Sequence, residues 1–281
     1  MTADDAAGVQ ALLTEHDLGF TVRGRCAGGM QGGAWLLAHT GPPAQESLAV
    51  LKICRNESAS RIPGLGQVIA AIRKAGYPTP EWLASGRFSD GSGYHIARLV
   101  PGRPSTPLTS DKTEMLLRVL ESQAGLDPDP ARDWCDHVMR PDPAQVPTCL
   151  VDRYQRLWDE AGPVRLPGGD MVHGDFNSCN IFLDETGVSG VIDIEALGSG
   201  TRVIDYAWLL REAYLEDYGE QVAAMIQRAG QAVAGPRVLA VCAVATVFDI
   251  VRFKLRHEPE AMPRIIAQLH HLADDLTAAL P

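Results

Sequence analysis

Two carboxylates and one amide in the second half of the chain have the residue types and spacing for chemistry. Asp175 leaves a short apolar strand, Asn180 follows five residues later, and Asp193 comes thirteen residues after that, at the end of the apolar run 188–192. Side chains at strand ends that flank one hairpin can converge on one point. Phosphoryl transfer needs one carboxylate to accept a hydroxyl proton and oxygen ligands to hold Mg²⁺. The spacing therefore predicts a phosphoryl-transfer site at this hairpin.

These residues also resemble a known family. The segment HGDFNSCN (173–180), followed by VIDIEA (191–196), resembles the HGDxxxxN…IDxE/G pattern of the aminoglycoside phosphotransferase and choline kinase superfamily, whose members are relatives of the protein kinases. The resemblance implies that Asp175 is the catalytic base or the group that orients the substrate. It also implies that Asn180 and Asp193 are the metal ligands and that His173 braces the loop.

A glycine-rich segment and a strand lysine could bind the nucleotide. Gly28, Gly29, Gly32 and Gly33 lie between two expected strands, where glycine lets backbone N–H groups approach phosphate oxygens. The segment does not have the Walker pattern, and a flexible hairpin turn remains the alternative. Lys52 lies in the apolar strand AVLKI and resembles the kinase lysine that binds the α- and β-phosphates. The alternative for Lys52 is a strand lysine that points to solvent.

The resemblance also implies roles for the segment 94–101 and for the expected helix 66–75. The segment YHIARLVP (94–101) resembles the kinase hinge, where the carbonyl of Arg98 and the amide of Val100 would contact the base. Backbone contacts do not distinguish ATP from GTP. The expected helix 66–75 lacks the glutamate that pairs with the kinase lysine, so the partner of Lys52 stays open.

Acidic residues after the hairpin could bind a cationic substrate. Glu212 and Glu216 share one face of the expected helix 203–216 with Asp205, and the stripe continues to Glu220. Glu195 lies two residues after Asp193. The resemblance implies that Asp205 braces the catalytic loop, which leaves Glu195, Glu212 and Glu216 as substrate-binding candidates. A solvated helix face is the alternative explanation of the stripe.

The elements that must position these groups divide the chain at the break PGRP (101–104). Before it, five strands and an internal helix are expected, with a short helix first, at 4–15, 20–26, 34–40, 48–55, 66–75, 81–88 and 94–100. After it, helices are expected at 109–124, 129–138, 148–161, 203–216, 218–230, 236–256 and 261–279, with short strands within 171–194. These elements predict an α+β, bilobal fold, and the family resemblance implies that this fold is protein-kinase-like. A five-stranded antiparallel nucleotide-binding lobe covers 1–100, and a mainly helical catalytic and substrate lobe covers 101–281.

The charge distribution restricts the partner classes. The net charge is −10, and residues 1–100 hold 9 Lys/Arg and 8 Asp/Glu whereas residues 101–281 hold 16 and 27. This imbalance excludes nucleic acid and anionic membrane surfaces as favoured partners, because both reward basic faces. It favours a small cationic acceptor on the second lobe, and a contribution to solubility is the alternative.

Cysteine usage and hydropathy place the chain among cytoplasmic proteins. The six cysteines form no CxxC pair, which favours free thiols in a reducing compartment over a metal site or disulfides. No apolar run approaches the roughly 20 residues of a membrane-spanning helix, and residues 1–10 lack a secretory signal. Whether the protein is a monomer or a homodimer stays open.

Together these features predict a Mg²⁺-dependent phosphotransferase that moves the γ-phosphate of ATP or GTP to a hydroxyl of a cationic antibiotic. The acceptor would be an aminoglycoside or a tuberactinomycin peptide such as capreomycin or viomycin; the segment Arg61–Gly64, read as a break before the helix, resembles the phosphotransferases of the latter. One alternative is a metabolite kinase of the same fold, acting on choline, homoserine or an amino sugar. The other, a non-catalytic pseudokinase, is disfavoured because Lys52, Asp175, Asn180 and Asp193 are all present.

Overall fold

The structure, a computed structural model, describes residues 5–26, 33–39, 48–55 and 57–281. The chain forms two compact units, Met1–Pro101 and Gly102–Pro281.

The first unit contains two helices and five strands. In chain order they are α1 (Ala6–Glu15), β1 (Phe20–Arg25), β2 (Ala34–His39), β3 (Leu48–Cys54), α2 (Ile62–Lys74), β4 (Trp82–Arg87) and β5 (Gly93–Arg98). The strands pair antiparallel throughout, in the order β1-β2-β3-β5-β4. The predicted five-stranded antiparallel sheet is confirmed.

The two helices of the first unit pack on different parts of this sheet. The buried residues of α1 pack against one face of the sheet. They are Val9, Leu12 and Leu13, and their hydrophobic cluster includes Leu37 and Leu51, which point to that face. Helix α2 instead contacts β4 and β5. A Cβ atom on Gly66 of α2 would lie 2.9 Å from Oγ of Ser85 on β4, so this glycine permits close approach of the helix.

The strand register places Lys52 on the face that α2 covers. Ser85 on β4 pairs with His95 on β5, and His95 pairs with Lys52 on β3. Directly opposed residues in antiparallel strands point to the same side of the sheet. Because Ser85 faces Gly66 of α2, Lys52 points toward the α2 side as well.

Helix α2 begins earlier than the sequence pattern predicted. The expected start at residue 66 treated Arg61–Gly64 as a break, whereas the helix begins at Ile62. Pro63 lies in the first turn of the helix. A backbone N–H at this position would have no intrahelical acceptor, so proline costs the helix no hydrogen bond here. The break interpretation of this segment is therefore wrong.

The second unit is mainly helical. Its elements are β6 (Arg103–Pro104), α3 (Ser110–Glu121), α4 (Trp134–Val138), α5 (Thr148–Ala161), β7 (Asp170–Val172), β8 (Ile181–Asp184), β9 (Gly187–Val191), β10 (Gly198–Gly200), α6 (Val203–Leu215), α7 (Glu220–Ala234), α8 (Pro236–His257) and α9 (Met262–Ala278). Two small sheets, β6-β8-β9 and β7-β10, lie among the helices.

Helix α8 forms the core of the second unit. Every residue from Val238 to Phe248 is buried, and the helix packs against α5, α6, α7 and α9. A helix segment that is apolar all round belongs in a core, which explains why residues 238–248 lack a polar face, whereas the charged residues of α8 lie outside this segment. No helix of the described part of the chain combines the length and apolar character needed to cross a membrane.

The helix predicted at 129–138 is shorter in the structure, so the predicted extent is wrong. Only Trp134–Val138 is helical, with Asp133 as its N-cap, because residues before it pair with β10 instead. Asp129 N donates to Oγ of Ser199 at 3.0 Å, and Ser199 N donates to the carbonyl of Arg132 at 2.9 Å. The segment is thereby fixed beside the strand that follows the Asp193 turn.

Candidate active site

The hairpin β8–β9 brings Asn180 and Asp193 together. Ile181 pairs with Val191, and just outside this pair Ile192 N donates to the carbonyl of Asn180 at 2.9 Å. Asp193 is the next residue and has left-handed backbone angles, φ 61° and ψ 41°. Aspartate tolerates this conformation better than most residues because its short polar side chain can bond locally. The hairpin therefore places the backbones of Asn180 and Asp193 at neighbouring positions.

The carboxylate of Asp175 is held between two amide side chains. Its Oδ1 accepts from Nδ2 of Asn177, and its Oδ2 accepts from Nδ2 of Asn180, each at 3.1 Å. Burial, followed by the negative charge of Asp193, raises the pKa of Asp175 to about 6, and Arg211 and the two amides oppose the shift. The carboxylate therefore has a fixed orientation and a pKa close to neutral pH.

His173 joins the loop to the strand that carries Asp193. Its Nδ1 accepts from the backbone N–H of Asp175 at 3.2 Å, and its Nε2 lies 3.0 Å from the carbonyl of Ile192. Since Nδ1 accepts, Nε2 carries the proton and donates to the carbonyl. The imidazole is fully buried. It braces the site, as the resemblance implied, and both of its nitrogens are used in doing so.

Asp205 fixes the same turn from helix α6. Its Oδ2 accepts from His173 N at 2.6 Å and from Nε2 of Gln123 at 3.0 Å, and its Oδ1 accepts from Gly174 N at 3.0 Å. Burial raises the pKa of Asp205 to about 7, and these three hydrogen bonds oppose the rise. Asp205 is fully buried, so it belongs to the loop rather than to an exposed acidic stripe.

Gly174 permits a close contact between the loop and Trp134. Its φ is 79°, and a Cβ atom there would overlap the indole of Trp134. The indole Nε1 donates to the carbonyl of Ala196 at 3.1 Å, so Trp134 also contacts the turn that follows Asp193. One side chain from α4 thus packs on both halves of the site.

Replacing Gly174 with Ala should lower the free energy of unfolding by about 1–3 kcal/mol more than Gly219→Ala does, because the added methyl group overpacks against Trp134. Gly219 is a matched control, since its φ is 90° and a Cβ atom there meets no atom within 4 Å. Urea unfolding of both variants measures the difference. Equal losses would show that the indole does not restrict this position.

The oxygen atoms at the hairpin fit a hard divalent cation. Nδ2 of Asn180 is used by Asp175, so its Oδ1 is the atom left for a metal, and the Asp193 carboxylate comes from the neighbouring strand end of the same hairpin. Among the residues that the structure describes, no cluster of three or more His, Cys, Asp or Glu could hold a metal ion. Magnesium commonly uses only one or two protein oxygens and completes its shell with phosphates and water. The donor set therefore suits Mg²⁺ with a nucleotide.

The three acidic substrate candidates have different surroundings. Glu212 is partly buried, and its carboxylate accepts hydrogen bonds from Ser178 and Tyr218. Glu195 is buried, whereas Glu216 is exposed at the end of α6. The prediction of one continuous acidic stripe from Asp205 to Glu220 is wrong, because α6 ends at Leu215 and Glu220 begins the next helix.

The nucleotide-binding candidates lie in the first unit. Gly28, Gly29 and Gly32 are outside the described residues, and Gly33 has a φ of 80° just before β2. Arg98 ends β5, where its N–H donates to the carbonyl of Glu81 at 2.9 Å, and Val100 follows two residues later. Lys52 is partly buried in the central strand β3.

The sequence analysis missed four residues that support the site: Gln123, Trp134, Ser178 and Arg211. Arg211 is buried, its guanidinium lies 4.1 Å from the ring centroid of Trp208, and its charge lowers the pKa of Asp175. Burial lowers the pKa of Arg211 itself to about 10. Ser178 could have been noticed because it lies inside the recognised motif, but the other three are distant in sequence and have no local signal.

Comparison with known proteins decides the family. The family described as "Phosphotransferase enzyme family" matches residues 43–242, which is more than half of the chain and includes the whole hairpin site. The chain belongs to this family. The family resemblance seen in the motif is therefore confirmed, and the protein is a member of a family of phosphotransferase enzymes.

Solved structures show that this phosphotransferase has the kinase-like fold expected from its sequence. An aminoglycoside-3'-phosphotransferase of type VIII is 21% identical, with a TM-score of 0.62 and coverage of 88% of this chain and 100% of that chain. A thermostable mutant of the aminoglycoside phosphotransferase APH(4)-Ia, in ternary complex with ADP and hygromycin B, is 18% identical, with a TM-score of 0.65 and coverage of 97% and 98%. The GDP complex of an aminoglycoside 2'-phosphotransferase-IIIa is 13% identical, with a TM-score of 0.65 and coverage of 98% and 99%. No curated protein sequence matches this chain.

Proposed function

We propose that this phosphotransferase moves the γ-phosphate of ATP or GTP to a hydroxyl group of a small cationic antibiotic, with Mg²⁺ as the required metal. The observation that carries the proposal is the Asp175 carboxylate, which the amides of Asn177 and Asn180 orient and whose pKa the negative charge of Asp193 raises. An oriented carboxylate beside hard oxygen ligands is the arrangement that phosphoryl transfer to an alcohol needs.

Asp175 would orient the acceptor hydroxyl and accept its proton. A general base works best when its pKa lies near the working pH, and burial has moved the pKa of Asp175 upward to about 6. The amides of Asn177 and Asn180 keep both carboxylate oxygens in place, so the base is positioned before the substrate arrives.

Asn180 Oδ1 and the Asp193 carboxylate would hold Mg²⁺. When bound, the ion would neutralise charge on the nucleotide phosphates and orient them. His173 and Asp205 would keep these ligands and Asp175 in register, because both are hydrogen-bonded to the backbone of the loop.

The first unit would bind the nucleotide. Lys52 would contact the α- and β-phosphates, the segment with Gly28, Gly29, Gly32 and Gly33 would cover them, and the backbone of Arg98 and Val100 would contact the base. The ADP and GDP complexes of the two structurally similar enzymes support a purine nucleotide as co-substrate.

Lys52→Ala should lower kcat/KM for the nucleotide by about 10²-fold, since the lysine would contact the phosphates rather than the acceptor. Steady-state kinetics with either substrate varied would measure the effect. Lys74→Ala, at an exposed position on α2, is the control and should leave both KM values unchanged. A Lys52→Ala defect confined to the acceptor KM would contradict the assignment.

A cationic antibiotic is supported by charge and by one similar structure. Residues 101–281 hold 27 Asp/Glu against 16 Lys/Arg. The structurally similar APH(4)-Ia mutant is in complex with hygromycin B. Of the three acidic candidates, the exposed Glu216 remains the most accessible for a direct contact, with Glu195 as a buried second acid. An aminoglycoside and a tuberactinomycin peptide are the two acceptor classes proposed.

The experiment is an acceptor panel in which nucleotide consumption is measured with aminoglycosides, capreomycin, viomycin, choline, homoserine and an amino sugar. We expect turnover with at least one antibiotic, and an antibiotic KM that rises with ionic strength, since exposed charges are screened beyond about 10 Å at 0.1 M salt. Turnover only with choline, homoserine or the amino sugar would favour the metabolite-kinase alternative. No turnover with any acceptor would favour the pseudokinase.

A further inference from the structure

Ser178 is the fixed point of the loop between Asp175 and Asn180. It is fully buried, and its backbone carbonyl accepts from both N and Oγ of Ser105, at 3.1 and 2.9 Å. Its own N–H and Oγ–H both donate to the carboxylate of Glu212. Every polar group of this residue is therefore used to hold the loop.

Glu212 reaches this point from helix α6. Its Oε2 accepts from Ser178 N at 2.9 Å, its Oε1 accepts from Ser178 Oγ, and Tyr218 OH donates to Oε1 at 3.1 Å. Burial raises the pKa of Glu212 above its usual value, and these hydrogen bonds and the charge of Arg211 oppose only part of that rise. Removing a carboxylate from water costs free energy unless its oxygens accept hydrogen bonds, and the three donors supply them here.

Tyr218 ties a third segment to the same point. Its OH lies 3.2 Å from Ser178 Oγ and 3.0 Å from Thr106 Oγ1, in addition to its bond with Glu212. The segment after β6, the catalytic loop and the end of α6 therefore meet at one hydrogen-bonded cluster. Its members are Ser105, Thr106, Ser178, Glu212 and Tyr218.

We propose that Glu212 is a positioning residue of the phosphoryl-transfer site, acting through Ser178 rather than binding the acceptor. Ser178 is three residues after Asp175 and two residues before Asn180, so its position sets the separation of the proposed base and the proposed metal ligand. The inference rests on the proposed function and replaces the substrate-binding role that the sequence pattern assigned to Glu212. Both carboxylate oxygens of Glu212 are bonded to Ser178 or Tyr218, which leaves the exposed Glu216 as the substrate-binding candidate at this helix end.

The test compares Glu212→Ala, Glu212→Gln and Ser178→Ala with the exposed control Glu160→Gln on α5. Loss of the anchor should lower kcat of Glu212→Ala by about 10²-fold, because a displacement of about 1 Å is enough for such an effect. A carboxamide has the same shape and can still bond Ser178 N and Oγ. Glu212→Gln and Ser178→Ala, each of which loses part of the cluster, should therefore lower kcat by only about fivefold. The acceptor KM should stay within about twofold in all of them, since a residue that acts only on the transition state changes kcat.

Two further measurements separate this role from general structural damage and from failure of the proposed function. Hydrogen exchange of the 173–180 segment should rise in Glu212→Ala and stay near wild type in Glu160→Gln, whether or not an acceptor is known. Affinity for Mg²⁺–nucleotide should fall in Glu212→Ala, because Asn180 moves with Ser178. If the wild type transfers phosphate to no acceptor, the proposed function fails, and these two measurements still decide whether Glu212 anchors the loop.

Several results would overturn the inference. One is a folded Glu212→Ala variant with wild-type kcat and wild-type exchange in the loop. Another is a change confined to the acceptor KM, which would return Glu212 to substrate binding. If Glu212→Ala does not fold, Glu212→Gln and Ser178→Ala carry the test, and unchanged kcat in both would contradict it.

Discussion

Asp175→Asn is expected to lower kcat by about 10²-fold or more while the fold and the affinity for Mg²⁺–nucleotide stay near wild type. The loss of a general base accounts for a fall of about 10²–10⁴-fold. The change is isosteric and keeps one side-chain oxygen that can accept from one of the two asparagine amides, whereas the other amide loses its side-chain acceptor because it would face the new N–H₂ group. Both amides also donate to the backbone carbonyl of Asp175, which the substitution keeps, so the loop should stay in place. Single-turnover measurements at saturating nucleotide would isolate the chemical step from product release.

The control for this experiment is Asp152→Asn, an exposed position on α5 where the same change should leave kcat unaltered. Thermal unfolding should give a midpoint for Asp175→Asn close to that of the wild type. The substitution removes a partly buried carboxylate whose pKa is raised to about 6 and whose ionised form is therefore destabilised near neutral pH, and this gain offsets the lost amide hydrogen bond. Full activity in Asp175→Asn would disprove the catalytic assignment.

Asp193→Ala is expected to abolish Mg²⁺-dependent nucleotide binding, and Asn180→Ala is expected to weaken it. Asp193 would supply the charged ligand, and a magnesium site with so few protein oxygens cannot lose its carboxylate without losing affinity. The Mg²⁺–nucleotide affinity of Asp193→Asn should lie between those of Asp193→Ala and Asn180→Ala. Asparagine keeps one side-chain oxygen and tolerates the left-handed backbone at this position. Calorimetry with and without Mg²⁺ measures each affinity.

The control is the nucleotide affinity measured without Mg²⁺, which should be the same for the wild type and for Asp193→Ala. A variant that also loses metal-independent binding has a damaged fold, and it would have to be replaced by Asp193→Asn. Unchanged Mg²⁺–nucleotide affinity in Asp193→Ala would place the metal elsewhere.

The central hairpin could be predicted from the sequence because its geometry is local. Strand pairing brings the residue before β8 next to the residues after β9, so Asn180 and Asp193 had to approach each other. The residues of the five strands in the first unit were also located, because each strand has a distinct apolar run bounded by turns. The order β1-β2-β3-β5-β4 could not be predicted, since it depends on tertiary packing rather than on local pattern.

The supporting contacts of the site could not be predicted because they join distant parts of the chain. Glu212 lies 34 residues after Ser178, and helical periodicity shows which residues share a face but not what that face contacts. The same periodicity placed Glu212 on one helix face with Glu216 and suggested substrate binding for both, whereas the Glu212 carboxylate is bonded to Ser178 in the loop 173–178. Gly174 faces Trp134 across 40 residues of sequence, and only the folded chain shows that contact.

The most direct test of the central claim is to follow the γ-phosphoryl group of an isotopically labelled nucleotide in the presence of Mg²⁺ and each cationic antibiotic of the panel. The predicted result is that the label moves to a hydroxyl oxygen of one antibiotic class with wild-type protein, at a rate at least about 10²-fold lower with Asp175→Asn. Label found only in free phosphate, or no label released with any antibiotic, would contradict the account.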